Sequence, residues 1–193
     1  MKAILNAKEF KRLIDNTKKF TADTVNRNNK LTQYIHVVVD AENMEIKAEA
    51  LDGHRISIEY GKLIEADESF QCYISPKIPV MAKNSDNAEL ELTEGKLLIR
   101  IGEFIVGCLQ PEGEYYNVDE MLAGMEKEAP VRTIGLNAAY LEDAIKAAKN
   151  VVINWRHIVE IDVRNPGSPV IIRTGRRQEK QNIKVILPIN NIN

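Results

Sequence analysis

The apolar positions near the start of the chain repeat at helical spacing. Phe10, Leu13 and Ile14 fall on one face, and Lys8, Lys11, Arg12 and Asp15 fall elsewhere. An amphipathic helix is therefore predicted to run to about Lys18, entered from a short strand at Ile4 and Leu5. Asn6 is placed to cap it, because a short side-chain oxygen there can accept from the free N–H groups of the first turn, and Glu9 completes the spacing of a capping box. The period then changes to two. Ile35, Val37 and Val39 alternate with Tyr34, His36 and Val38; Met44, Ile46, Ala48 and Ala50 alternate with Glu45, Lys47 and Glu49; Ile56, Ile58 and Tyr60 alternate with Ser57 and Glu59. Such alternation predicts antiparallel strands with one face buried.

The order then recurs. A strand over 70–74 leads to Ser75 as a cap and Pro76 at the first helical position, with a short helix expected to about Lys83. Strands are predicted at 89–92, 96–101 and 104–109. A third copy opens at Ile134-Gly135-Leu136-Asn137-Ala138, where Leu-Asn-Ala again precedes a helix and Leu141, Ala144 and Ile145 take the places of Phe10, Leu13 and Ile14. Strands at 151–154, 158–163, 170–173 and 183–189 follow it, and residues 113–132 join the second copy to the third. The chain thus reads as three repeats of one strand–helix–strands unit, α+β in class.

Composition narrows the function. A formal charge of −2 excludes a protein coated in positive charge, though not a basic stripe on one face. Cys72 and Cys108 sit in strand-like apolar runs and are expected to be reduced and buried, with no metal-ligand spacing between them. With no signal-like segment and no long apolar run, a cytoplasmic location is expected. Arg173, Arg176, Arg177 and Lys180 cluster around a loop marked by Thr174-Gly175, and Trp155 and His157 are read as packing residues. Asp52 and His54 are close enough to polarise a water. Without a nucleophile or third partner they define no catalytic centre, and an enzyme is not expected.

Two motifs resemble the bacterial sliding clamp, the beta subunit of DNA polymerase III. One is Ala50-Leu51-Asp52-Gly53-His54-Arg55-Ile56, similar to a Thr-Asp-Gly-His-Arg-Leu run at the same strand end. The other is Val185-Ile186-Leu187-Pro188-Ile189, similar to the family's closing apolar–Pro–apolar run. Residues 104–122 resemble the end of the family's middle domain. Leu51 in place of Thr, Tyr116 in place of Pro, and Asn190 and Asn191 in place of a basic–apolar ending depart from the pattern.

The resemblance implies a processivity-clamp fold of about one and a half clamp domains, with antiparallel sheets and helices on one face. Residues 1–122 correspond to a complete middle domain, 123–132 to a linker, and 133–193 to the second half of the last domain. It implies a factor that contacts or encircles double-stranded DNA without reading sequence, and that tethers DNA polymerase and other clamp-binding proteins. The peptide groove is expected at Leu51, Gly53, His54, Arg55, Ile56, Leu187, Pro188 and Ile189. The DNA contacts are expected from helix-borne cations that face the duplex: Lys8, Lys11, Arg12, Lys18, Lys19, Lys77, Lys83, Lys146 and Lys149. No cofactor is implied. The expected assembly is a dimer through the third unit and a tetrameric ring, with Leu141, Ile145, Ile161 and Val163 needing cover from a second copy. The competing reading is an adaptor that keeps the peptide groove and forms no ring.

Overall fold

The computed structural model describes residues 1–23, 30–81, 86–127, 130, 133–148, 158–165, 167–174 and 182–189. It divides into two compact units, Met1–Met121 and Leu122–Asn193.

The first unit is one antiparallel sheet with a helix laid on its inner face. Its strands are β1 (Lys2–Asn6), β2 (Ile35–Asp40), β3 (Glu45–Leu51), β4 (Ile56–Ala66), β5 (Phe70–Ile74), β6 (Asn87–Thr93), β7 (Lys96–Ile101) and β8 (Phe104–Leu109), in the order β5-β2-β3-β4-β1-β6-β7-β8. Helix α1 (Ala7–Thr17) leaves β1 directly. The Asn6 side chain accepts from the N–H groups of Lys8 and Glu9, as its position predicts. Glu9 does not complete the capping box; its carboxylate is taken by Arg12, one turn on.

Phe10, Leu13 and Ile14 are buried on Val37, Val39, Ile46, Ala48, Leu90, Leu97 and Ile99 in one core. Gly61 of β4 lets the helix lie this close. A Cβ there would stand 3.1 Å from Leu13 and 3.2 Å from Ile46. The two ends of the sheet are tied by Gln110, just after β8. Its side-chain oxygen accepts from the Tyr73 N–H at 2.7 Å, and its amide donates to the Tyr73 carbonyl at 3.1 Å. Cys72 and Cys108 are free thiols buried in this core.

Two expectations are corrected. Residues 76–78 form a turn after Ser75, with the Ile78 N–H on the Ser75 carbonyl, and no helix follows in the described residues to 81. Pro79 explains it: proline disfavours helical geometry at Ile78 and has no N–H to continue a helix. Conversely, a helix, α2 (Val118–Met125), occupies the start of the expected linker. Its first turn is capped reciprocally, with the Glu120 N–H on Asn117 Oδ1 and Asn117 Nδ2 on the Glu120 carboxylate.

The second unit holds helix α3 (Ala138–Ala148) and a sheet in the order β11-β10-β9: β9 (Glu160–Asp162), β10 (Val170–Thr174) and β11 (Asn182–Ile186). Asn137 caps α3 as Asn6 caps α1, accepting from the N–H groups of Ala139 and Tyr140. The segment before α3 is not a strand, but the Ile189 N–H bonds the Gly135 carbonyl at 3.0 Å. The core is small: Ala144, Val170, Ile172 and Ile186, with Leu141 and Val159 against it. The strand expected at 151–154, with Trp155, His157, Arg176, Arg177 and Lys180, lies outside the described residues.

Candidate functional site

The turn between β3 and β4 is built by one carboxylate. Asp52 Oδ1 accepts from the N–H groups of His54 and Arg55 at 2.9 and 3.0 Å, and Oδ2 takes Arg55 Nη2 at 2.6 Å. Gly53 adopts φ +88°, which L side chains rarely reach. Desolvation pulls the Asp52 carboxyl upward, but the Arg55 and backbone hydrogen bonds outweigh it and hold the group below its usual range. Arg55 is fixed from its other side by the Phe20 ring, 5.2 Å from the guanidinium carbon. Leu51 is buried beneath the turn, Ile56 is half-buried, and Gly53, His54 and Arg55 are exposed. Asp52 is thus committed to Arg55 and the backbone rather than to the His54 ring.

The tail belongs to the second unit. Leu187 is 71% exposed and Ile189 47%. Leu187, Val185 and Ile186 line a surface pocket of about 520 Å³ together with Tyr140, Asp143 and Ala144 of α3 and with Lys184. Tyr140 and Asp143 were not anticipated as site residues. The available signal was that Tyr140 lies off the Leu141, Ala144 and Ile145 stripe, which makes it an aromatic on the solvent side of the helix.

The expected helix cations differ among themselves. Lys11 and Lys18 share Asp15. Arg12 is drawn down to Glu9, Glu59 and the Tyr60 carbonyl. Lys146 pairs with Glu142 at 3.0 Å. Lys8 and Lys19 are exposed and have no acidic partner among the described residues. Lys77 is exposed on the turn described above rather than on a helix. Lys83 and Lys149 lie outside the described residues.

One buried polar cluster was missed altogether. On the sheet face away from α1, His36 Nδ1 lies 2.7 Å from Glu49 and Nε2 3.2 Å from Gln71. The ring is stacked between Tyr73 and Tyr115, with centroids 5.2 and 4.7 Å away. Lys47 bridges Glu49 at 3.0 Å and Asp119, at the start of α2, at 2.6 Å. Desolvation alone would lower the Lys47 ammonium; its bonds to Asp119 and Glu49 prevail and raise it. Burial pushes the Tyr115 phenol well up. The cluster fastens the segment after β8 across the outer face of the sheet. Alternation marks His36 and Glu49 only as outward-facing, because their cover comes from far along the chain.

This arrangement defines a class of fold, that of the DNA polymerase sliding clamps. The particular solved structures it matches are bacterial. The DNA polymerase sliding clamp from Bacillus subtilis superposes with a TM-score of 0.80 at 17% identity, over 97% of this chain and 49% of that one. The DNA polymerase III beta chain from Streptococcus pneumoniae gives 0.75 at 19% identity, over 97% and 49%. The beta subunit from DNA polymerase of Streptococcus pyogenes gives 0.75 at 17% identity, over 97% and 50%. The chain therefore has the sliding-clamp fold and spans about half the length of these structures. No protein-family model matches it, and no curated protein matches it. Among the described residues there is no cluster of metal-ligating side chains, and no helix long and apolar enough to cross a membrane.

Proposed function

We propose that this chain is a sliding-clamp-like processivity factor: it contacts or encircles duplex DNA and tethers polymerase or repair proteins through short peptide motifs. The observation that carries the reading is the clamp fold itself, which extends over 97% of the chain. Two exposed surfaces, one in each unit, fit it. The first unit offers Gly53, His54, Arg55 and Ile56 on a turn that Asp52 holds rigid. The second offers Leu187, Pro188 and Ile189, with Tyr140 beside them. An extended peptide with an apolar anchor needs a slot such as the one beside Leu187, and a rigid site loses little entropy on binding. Nothing in this function needs a cofactor or a catalytic group.

Fluorescence anisotropy of a short labelled clamp-binding peptide tests the tether. Leu187→Asp and Tyr140→Ala are each expected to weaken binding about tenfold or more, the order expected for one buried apolar anchor. Unchanged affinity in both would place the peptide elsewhere. A second reading, the adaptor, is favoured by the pairing of Lys11, Arg12 and Lys18 with acids. In that reading the peptide binds and duplex DNA does not.

A further inference from the structure

The sheet of the first unit is two runs of strands, β5-β2-β3-β4 and β1-β6-β7-β8, joined where β4 pairs with β1. The counterpart of that joint would lie between β8 and β5, and no strand pairing is made there among the described residues. Both joints begin alike. The Leu63 N–H bonds the carbonyl of Met44 in the β2–β3 turn at 2.9 Å, and the Gln110 N–H bonds the carbonyl of Gly95 in the β6–β7 turn at 2.9 Å. In the first half the chain then runs on along β1, with Glu65 opposite Ile4 and Ala66 opposite Ala3. It ends at Lys2, whose carbonyl accepts from the Asp67 N–H at 3.1 Å and whose N–H donates to Asp67 Oδ1 at 2.6 Å. In the second half the chain leaves β5. Gln110 reaches Tyr73 with its side chain alone, Pro111 has no N–H to give a strand, and the segment goes on to Tyr115 in the His36 cluster.

Gln71 is left without the partner that Lys2 has. Successive residues of an antiparallel strand turn their main-chain groups to alternate edges. Tyr73 turns its own to Gln110, so Gln71, two residues earlier, turns its N–H and C=O to the same edge, where neither has a partner among the described residues. The space beside them is an open groove of about 940 Å³, lined by Gln71, Tyr73 and Gln110 and by Leu92, Thr93 and Lys96. Glu68 in this groove stands 3.7 Å from the Met1 amino group, while Glu94 and Lys96 have no partner of opposite charge among the described residues. In the other half the counterpart of Lys96 is Glu45, which pairs with Lys62 at 3.7 Å.

We propose that this groove is a strand-addition site, which takes an extended segment of a partner protein carrying charges of both signs and pairs it antiparallel with β5. The other half of the unit shows the occupant's form. There Lys62-Leu63-Ile64-Glu65-Ala66-Asp67 fills the equivalent place, antiparallel to β1, and carries a base and two acids. A segment of that kind gives Gln71 the two main-chain bonds that Lys2 receives and offers charges complementary to Lys96 and Glu94. Main-chain bonds at an exposed edge supply affinity in such complexes, and the alternate side chains supply the choice of partner. The groove lies in the first unit alone and shares no residue with the slot beside Leu187.

A labelled peptide of sequence Lys-Leu-Ile-Glu-Ala-Asp, titrated with the full chain and followed by fluorescence anisotropy, tests the site. Saturable binding is expected. The same peptide N-methylated at its Asp cannot donate to the Gln71 carbonyl and is expected not to bind. Thr93→Trp, at an exposed turn position, is expected to fill the groove and abolish binding with the fold intact by circular dichroism. Lys96→Glu is expected to weaken binding about two- to fivefold, the range of an exposed ion pair. Leu187→Asp is expected to change nothing. By NMR, the Gln71 amide is expected to exchange rapidly in the free chain and slowly once the peptide is bound. Absence of saturable binding, equal binding of the N-methylated peptide, or a Gln71 amide already protected in the free chain would overturn the inference. Binding lost on Leu187→Asp would assign the peptide to the tethering slot and overturn it equally, whereas failure of Leu187→Asp to affect a clamp-binding peptide counts only against the tether.

Discussion

Gly61 and Asp52 show how much of the first unit depends on single residues. Valine at position 61 would press on Leu13 and Ile46 and lift α1 from the sheet. Gly61→Val is expected to cost about 1–3 kcal/mol, the usual range for overpacking, read from urea unfolding followed by helix circular dichroism. Asp52 gives a pH dependence. Its folded-state pKa is depressed, as are those of Asp15, held by Lys11 and Lys18, and Glu9, held by Arg12. Depressed carboxyls stabilise the fold above their unfolded values, near pH 4, and lose that contribution as pH falls through the folded values. Stability is therefore expected to fall as pH drops below about 5 and through the depressed folded values, and Asp52→Asn to flatten part of that fall. A profile unchanged by Asp52→Asn would mean that its hydrogen bonds are no stronger than those made in the unfolded chain. At this scale the sequence shows what is local. Asn6, Asn137 and the Asp52 turn are legible because their partners lie within three residues. The His36 cluster is not, because Tyr115 and Asp119 reach it from another part of the chain.

Elements were legible where one period ran uninterrupted. Helix α1 and strands β2 to β8 follow from alternation and from the Phe10, Leu13 and Ile14 stripe, since a sheet buried on one face requires that pattern. The helix expected after Ser75 is absent to residue 81 because Pro79 breaks it, a local signal outweighed by the repeat. Helix α2 was hidden by its polar first turn, although Asn117 and Glu120 form the capping pair that announces it. The repeated unit is also unequal in strength. Helix α1 buries Phe10, Leu13 and Ile14 fully, whereas α3 buries Ala144 and leaves Leu141 and Ile145 half-exposed. Amides of β1, β6 and β7 are accordingly expected to exchange with solvent more slowly than those of β10 and β11. Equal protection in the two sets would show that something further covers the second unit in solution.

For the chain as a whole, the fold is readable from the order of elements and the two short motifs, while the pairing of the helix cations is not. Sequence shows where cations are but not which are already neutralised. The structure leaves Lys8 and Lys19 free of acids among the described residues and pairs Lys11, Arg12 and Lys18. Replacing Lys8 and Lys19 with Ala is expected to reduce the salt slope of duplex binding by roughly one unit per lost phosphate contact, and replacing Arg12 to change it little. The proposed function requires one chain to hold a peptide and duplex DNA together. Sedimenting plasmid with a fluorescent clamp-binding peptide measures that directly. The peptide is expected to travel with the plasmid only when this chain is present, and to be released as salt is raised. Peptide that binds the chain but never sediments with DNA would contradict the proposed function.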